Sequence, residues 1–291
     1  MIQGAATAIV TPFKENGELD EEGLRALVSY QEEGGIDYIV PVGTTGESAT
    51  LTHQEHLKVI SVVMDQVKRA KVIAGAGSNS TTEAVQLSKG ARDLGVHAIL
   101  SISPYYNKPT QNGLVHHYQA IAKAAGIPVI VYNVPGRTGS NINPATVLKL
   151  AETPNIVGIK EASGNLAQVM AILEGAPEGF SVISGEDALT FPIMALGGKG
   201  VISVASNVAP SMVSSMVRHA LAGEWEEARK EHFRLLPLFT NLFLETNPIP
   251  VKTALRMMGR PAGAFRLPLC EMEPSNQEML RKTLAELGLL K

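Results

Sequence analysis

The stretch NIVGIKEASG, residues 155–164, decides the fold. Its core, IVGIK (156–160), is apolar without alternation, which reads as a strand covered on both faces, as in a parallel sheet flanked by helices. Yet this strand ends on Lys160. An isolated ammonium carried into low dielectric costs several kcal/mol unless it is paired or gives up its proton, so the lysine needs a reason to be there.

Seven similar runs accompany it: ATAIV (6–10), YIVPV (38–42), VIAGA (72–76), AILSIS (98–103), VIVYNV (129–134), SVIS (181–184) and VISVA (201–205). Between them lie helical patterns such as EEGLRALVSYQEEG, HQEHLKVISVVMDQVKRA, TTEAVQLSKGARDLG and GLVHHYQAIAKAAG. Several end on the glycine expected just past a helix. Eight apolar strands alternating with helices predict an α/β protein of the (β/α)8 TIM barrel class. An open doubly wound sheet is the runner-up, but no GxGxxG follows the first strand, and GAGSNS after the third lacks the last glycine. Beyond residue 222 the strand signals stop, while EWEEARKEHFRLLPLFTNLFLE, PIPVKTALRMMG and SNQEMLRKTLAELG keep helical period. The expected organisation is therefore a catalytic barrel over 1–222 and a C-terminal helical extension over 223–291, packed on it.

Charged residues make up 18% of the 291-residue chain and the formal net charge is -3, so no basic field attracts nucleic acid or anionic lipid. A small soluble substrate fits better. A single cysteine, Cys270, excludes an internal disulfide framework and a thiolate metal site. The opening MIQGAATAIVTPF has neither a basic region before a long apolar core nor an Arg-rich amphipathic helix, and nowhere do 18 apolar residues run together. A cytoplasmic protein without membrane spans is expected.

In such a barrel the chemistry sits at the C-terminal ends of the strands. The residues gathered there are Thr11, GTTGES (43–48), SPYYNKPT (103–110), YNVPGRTG (132–139), KEASG (160–164), SGED (184–187) and SVASN (203–207). A lysine that merely snorkels to water is the bland reading of Lys160. Held dry at the mouth, it instead loses its proton more easily and becomes a nucleophile toward a carbonyl, giving a Schiff base. No paired carboxylate is obvious, since Glu161 should face the other side of the strand. Tyr132, ending the neighbouring strand, lies within reach of the amine and can shuttle protons rather than serve only as a wall aromatic. Thr44 and Thr45 offer hydroxyls and backbone N–H groups to a carboxylate, and GTTGES lacks the GK[ST] ending of a nucleotide loop. Arg137, in a turn fixed by Pro and Gly, suits a second carboxylate better than a surface ion pair. Tyr105 and Tyr106 are adjacent in an irregular loop and should face apart. No metal is expected: there is no HExxH, and His53 and His56, one helical turn apart, have no further ligands.

Together, GAATAIVTPF, GTTGES, PYYNKPTQ, YNVPGRTG, GIKEASGN, GVISVASN and NPIPVK resemble the dihydrodipicolinate synthase family of pyruvate-dependent class I aldolases, over essentially the whole length. The resemblance implies that Lys160 forms an imine with pyruvate and that Tyr132 donates and accepts the proton. Thr44 would link Tyr132 to Tyr106, borrowed from a neighbouring subunit. Thr45 would bind the pyruvate carboxylate, Gly185 and Ile202 would line that site, and Arg137 would receive the carboxylate of L-aspartate 4-semialdehyde. The implied product is (2S,4S)-4-hydroxy-2,3,4,5-tetrahydrodipicolinate, on the route to diaminopimelate and lysine, with no cofactor and in a homo-oligomer, a tetramer of tight dimers. Feedback inhibition by L-lysine is also implied, at Ser48, Ala49, His53, His56, Asn79, Glu83 and Tyr105. The alternatives are an N-acetylneuraminate lyase or other 2-keto acid aldolase, disfavoured by Arg137, and a non-enzymatic amino-acid-sensing barrel, which would not need Lys160, Tyr132 and Thr44 together.

Overall fold

The computed structural model describes residues 1–290. Eight parallel strands close into a barrel in chain order: β1 (Gly4–Ala8), β2 (Tyr38–Val40), β3 (Lys71–Gly75), β4 (Ala98–Ile102), β5 (Val129–Asn133), β6 (Ile156–Glu161), β7 (Ser181–Ser184) and β8 (Gly200–Ser203). The first helices are α1 (Glu21–Glu33), α2 (His53–Gln66), α3 (Thr81–Asp93), α4 (Gln111–Ala125), the short α5 (Pro135–Thr138) and α6 (Pro144–Ala151). Then come α7 (Leu166–Gly175), α8 (Thr190–Ala195) and α9 (Pro210–Leu221), followed by α10 (Trp225–Asn241), α11 (Ile249–Met257) and α12 (Pro274–Glu286). The expected (β/α)8 barrel with C-terminal helices is borne out.

Local chemistry sets the element ends. Thr52 caps α2 in a full capping box with Glu55, and Gly126 closes α4 at φ 65°, a left-handed conformation that glycine adopts without a Cβ clash. β2 is two residues shorter than YIVPV suggests, because Pro41 brings no N–H to the ladder and Val42 turns to φ 53°. β8 likewise stops before Val204 and Ala205, whose N–H groups both donate to Asp187 Oδ2 at 3.0 Å instead.

The alternation of each strand separates two cores. Ala6, Val40, Ile73, Leu100, Ile130, Tyr132, Ile183 and Ile202 fill the barrel interior, whereas Ile39, Val72, Ile99, Val131, Ile159 and Val182 pack outward against the helices. Among the described residues no helix is long and apolar enough to cross a membrane. In the extension, α10 packs on α9, α11 packs on α12, and α10 also touches the turn at 187–189, which brings it to the barrel mouth.

Candidate active site

Strand register builds the centre. Tyr132 pairs with Lys160 across β5 and β6, and Lys160 pairs with Ile183 across β6 and β7. Since alternate residues share a face, Tyr132 and Lys160 point inward while their successors, Asn133 and Glu161, point outward. Glu161 accepts from Asn133 Nδ2 at 3.1 Å, Gln168 Nε2 at 3.1 Å and Ser163 N at 2.7 Å, so it anchors the barrel wall and does not face the lysine.

Lys160 is 5% exposed, with Nζ 4.3 Å from the centre of the Tyr132 ring. Burial lowers its pKa to about 8; Asp187 pulls it up and Arg137 pushes it further down. About a tenth of the amine is therefore neutral at pH 7, far more than for an ordinary lysine. Tyr132 is held above its ordinary value of 10.0 by burial, with Arg137 and a hydrogen bond to the Thr44 side chain acting against it. These groups line a cavity of about 500 Å³ together with Gly43, Thr45, Gly185, Glu186, Asp187, Asn247, Phe239 and Phe243. A Cβ on Gly185 would lie 3.0 Å from Lys160 Cγ and Cε and 2.7 Å from Ala162 Cβ, so only glycine leaves room beside the amine.

The sequence-predicted residues divide accordingly. Lys160, Tyr132, Thr44, Thr45, Arg137 and Gly185 share this cavity. Ile202 lies within the interior core beneath it, and Val204 is the residue of that segment at the cavity wall. Tyr106 is 90% exposed at φ 72° and borders neither this cavity nor the next one.

A second cavity of about 450 Å³ adjoins the first, sharing Thr44, Arg137 and Asn247 with it. It gathers Ser48, Ala49, His53, His56, Glu83 and Tyr105. Asn79 stands behind it, donating from Nδ2 to Tyr105 O at 3.2 Å. Glu83 meets His53 Nε2 at 2.5 Å and also accepts from Ser78 Oγ. Hydrogen bonding by Ser78 and the His53 contact hold its carboxyl below the usual range, against burial. His56 is buried and donates from Nε2 to Gly75 O at 2.7 Å, so it is fixed in the wall. Burial lowers its pKa, which keeps the ring neutral.

Three features escape a sequence reading. Asp187 supplies the buried carboxylate near Lys160 that seemed to be missing; burial raises its pKa, and the Ser203, Ala205 and Val204 hydrogen bonds oppose the rise. Its only signal is its place in SGED after strand seven. Asn247 reaches in from the extension, its Nδ2 donating to Thr45 Oγ1 at 2.9 Å, and its signal is the NPIPVK motif. Glu47 and Lys252 stand in the GTTGES and NPIPVK motifs, but nothing in the sequence shows that they pair, because they lie 205 positions apart.

Fold and site together define a barrel protein with a dry, activated lysine at the C-terminal ends of its strands. The model of the dihydrodipicolinate synthetase family matches residues 1–287. A 4-hydroxy-tetrahydrodipicolinate synthase from Syntrophus aciditrophicus is 53% identical, with all of both chains covered. A chloride-inhibited dihydrodipicolinate synthase from Acinetobacter baumannii, solved with pyruvate, superposes at a TM-score of 0.98 with 44% identity, again covering 100% of both chains. The synthase from Cyanidioschyzon merolae, solved with lysine bound, gives 0.96 at 46% identity, with 99% of each chain covered. The chain belongs to the dihydrodipicolinate synthetase family.

Proposed function

We propose that the chain condenses pyruvate with L-aspartate 4-semialdehyde to give (2S,4S)-4-hydroxy-2,3,4,5-tetrahydrodipicolinate and water, a step toward diaminopimelate and lysine. The observation that carries this reading is the dry Lys160 amine beside the Tyr132 phenol, with the Arg137 cation at the rim of the same cavity. The neutral amine adds to the ketone carbon of pyruvate and water leaves, giving an iminium near Asp187, whose influence on Lys160 favours the charged nitrogen. Loss of a methyl proton then forms the enamine, whose carbon attacks the aldehyde. Attack by the amino group of the semialdehyde on the iminium carbon closes the ring and frees Lys160.

Tyr132 carries the protons in these steps, with Thr44 and Tyr106 of the partner subunit completing the relay. Thr45 holds the pyruvate carboxylate, with Gly185 leaving room beside the imine and Ile202 supporting the floor. Arg137 takes the second carboxylate through its planar fork. Its charge favours a small acidic aldehyde over the neutral polyhydroxylated chain of a neuraminate. Reduction with borohydride in the presence of pyruvate tests the reading. Peptide mapping should find the added mass on Lys160, with labelling faster from about pH 6.5 to about pH 8.5 as the amine loses its proton. A label elsewhere, or a rate flat across that range, refutes it.

The second cavity fits L-lysine as a feedback inhibitor. Glu83, ionised and half-buried, suits its ammonium; Ser48, Ala49, His53, His56, Asn79 and Tyr105 complete the site, and the lysine-bound relative supports the match. Initial rates should fall at about 1 mM L-lysine, and Glu83→Ala should remove that inhibition while uninhibited turnover persists.

A further inference from the structure

The loop that carries Thr44 and Thr45 hangs from the C-terminal extension by two buried contacts. One is the Asn247 amide on Thr45 Oγ1. The other is Lys252 on α11, whose Nζ donates to Glu47 Oε1 at 2.5 Å, Ala264 O at 2.7 Å and Thr11 O at 3.3 Å. Three acceptors match the three protons of an ammonium, and the rings of Phe13 and Phe265 lie 4.8 and 5.0 Å from the charge. Both side chains of the pair are 0% exposed.

Glu47 sits at φ 54°, a left-handed conformation that a non-glycine residue keeps only when its surroundings hold it. Its N–H donates to Thr44 O at 3.1 Å, and Gly46 O accepts from Thr11 Oγ1 at 2.7 Å. Any displacement of Glu47 therefore carries Thr44 with it. Desolvating two charges is expensive, and an apolar pair of similar volume is often as stable or more so, so net stability does not explain this one.

We propose that Glu47 and Lys252 are positioning residues through which the C-terminal extension fixes the Thr44–Thr45 turn against the reacting centre. The proposal rests on the lysine chemistry described above. In the Glu47→Met/Lys252→Met double variant the melting temperature should stay within a few degrees of wild type. Its kcat for pyruvate and the semialdehyde should fall about 10- to 100-fold, the loss expected when a catalytic group is misplaced by about an ångström.

Hydrogen exchange over 43–50 should quicken in the same variant while 129–133 and 156–161 stay protected. Should the double variant fold poorly, Glu47→Gln is expected to show the same loop-confined loss of protection. Wild-type kcat with wild-type loop protection overturns the proposal, as does protection lost equally in loop and strands, which marks a purely structural pair. If wild type itself fails to turn over these substrates, the reaction is wrong, yet the exchange comparison still decides the clamp.

Discussion

Lys160 answers two opposed demands with one side chain. The proposed imine chemistry needs the amine to shed its proton near neutral pH, and burial favours that by penalising the charged form. The same penalty weighs on the folded state. The pKa drops from 10.5 to about 8 on folding, so the unfolded chain holds this proton more tightly. The penalty is complete below about pH 8, shrinks as pH rises, and is gone above the unfolded value of 10.5. Lys160→Met should therefore abolish turnover and yet stabilise the fold at pH 7 by about 2–4 kcal/mol. That advantage should narrow toward alkaline pH in paired melts of variant and wild type. A variant no more stable than wild type at pH 7 would show that the lysine is not dry.

At the scale of elements, one side chain holds the turn between α2 and β3. The end of α1 offers Glu32, whose Oε1 accepts from the N–H groups of Lys68, Arg69 and Ala70 at 2.9, 2.7 and 2.8 Å. Burial pushes this carboxyl up, but the three N–H groups and the Arg69 charge outweigh it, and the net shift is downward. A lowered folded pKa contributes stability above the unfolded value and loses it as pH falls through the folded one. Glu32→Gln is expected to cost about 1–3 kcal/mol at neutral pH, since a buried N–H then meets a weaker acceptor. The deficit should shrink in acid, and activity per folded molecule should hold; urea melts at the two pH values measure it.

Position in an apolar run announced the strands, and with them the mouth residues Lys160, Tyr132 and Thr44, because barrel geometry gathers the inward residues near the strands' C-terminal ends, and the loops that follow, into one site. Contacts between distant segments left no such trace. In the sequence Glu32 is only the tail of a helical pattern, Asp187 one acid among several, and Lys252 the end of NPIPVK with no partner in view. Each acquires its role from backbone groups or charges supplied by another part of the chain.

For the whole molecule, the proposed relay calls on a residue that the chain's own cavity lacks. Tyr106 projects into solvent at 90% exposure and stands outside the cavity that holds Lys160, and Leu267 is likewise 83% exposed. An aromatic side chain so displayed buries apolar area only when another molecule covers it. If Tyr106 serves the site of a second copy, Tyr106→Phe and Lys160→Met are each impaired for different reasons, and their defects sit on different chains. A mixed dimer then contains one site with an intact lysine from the first chain and an intact tyrosine from the second. Co-expression of the two variants in equal amounts, with random pairing, should restore about a quarter of wild-type activity. Each variant purified alone should stay far below that level. Activity in the mixture that merely averages the two separate variants would mean that Tyr106 acts within its own chain or not at all.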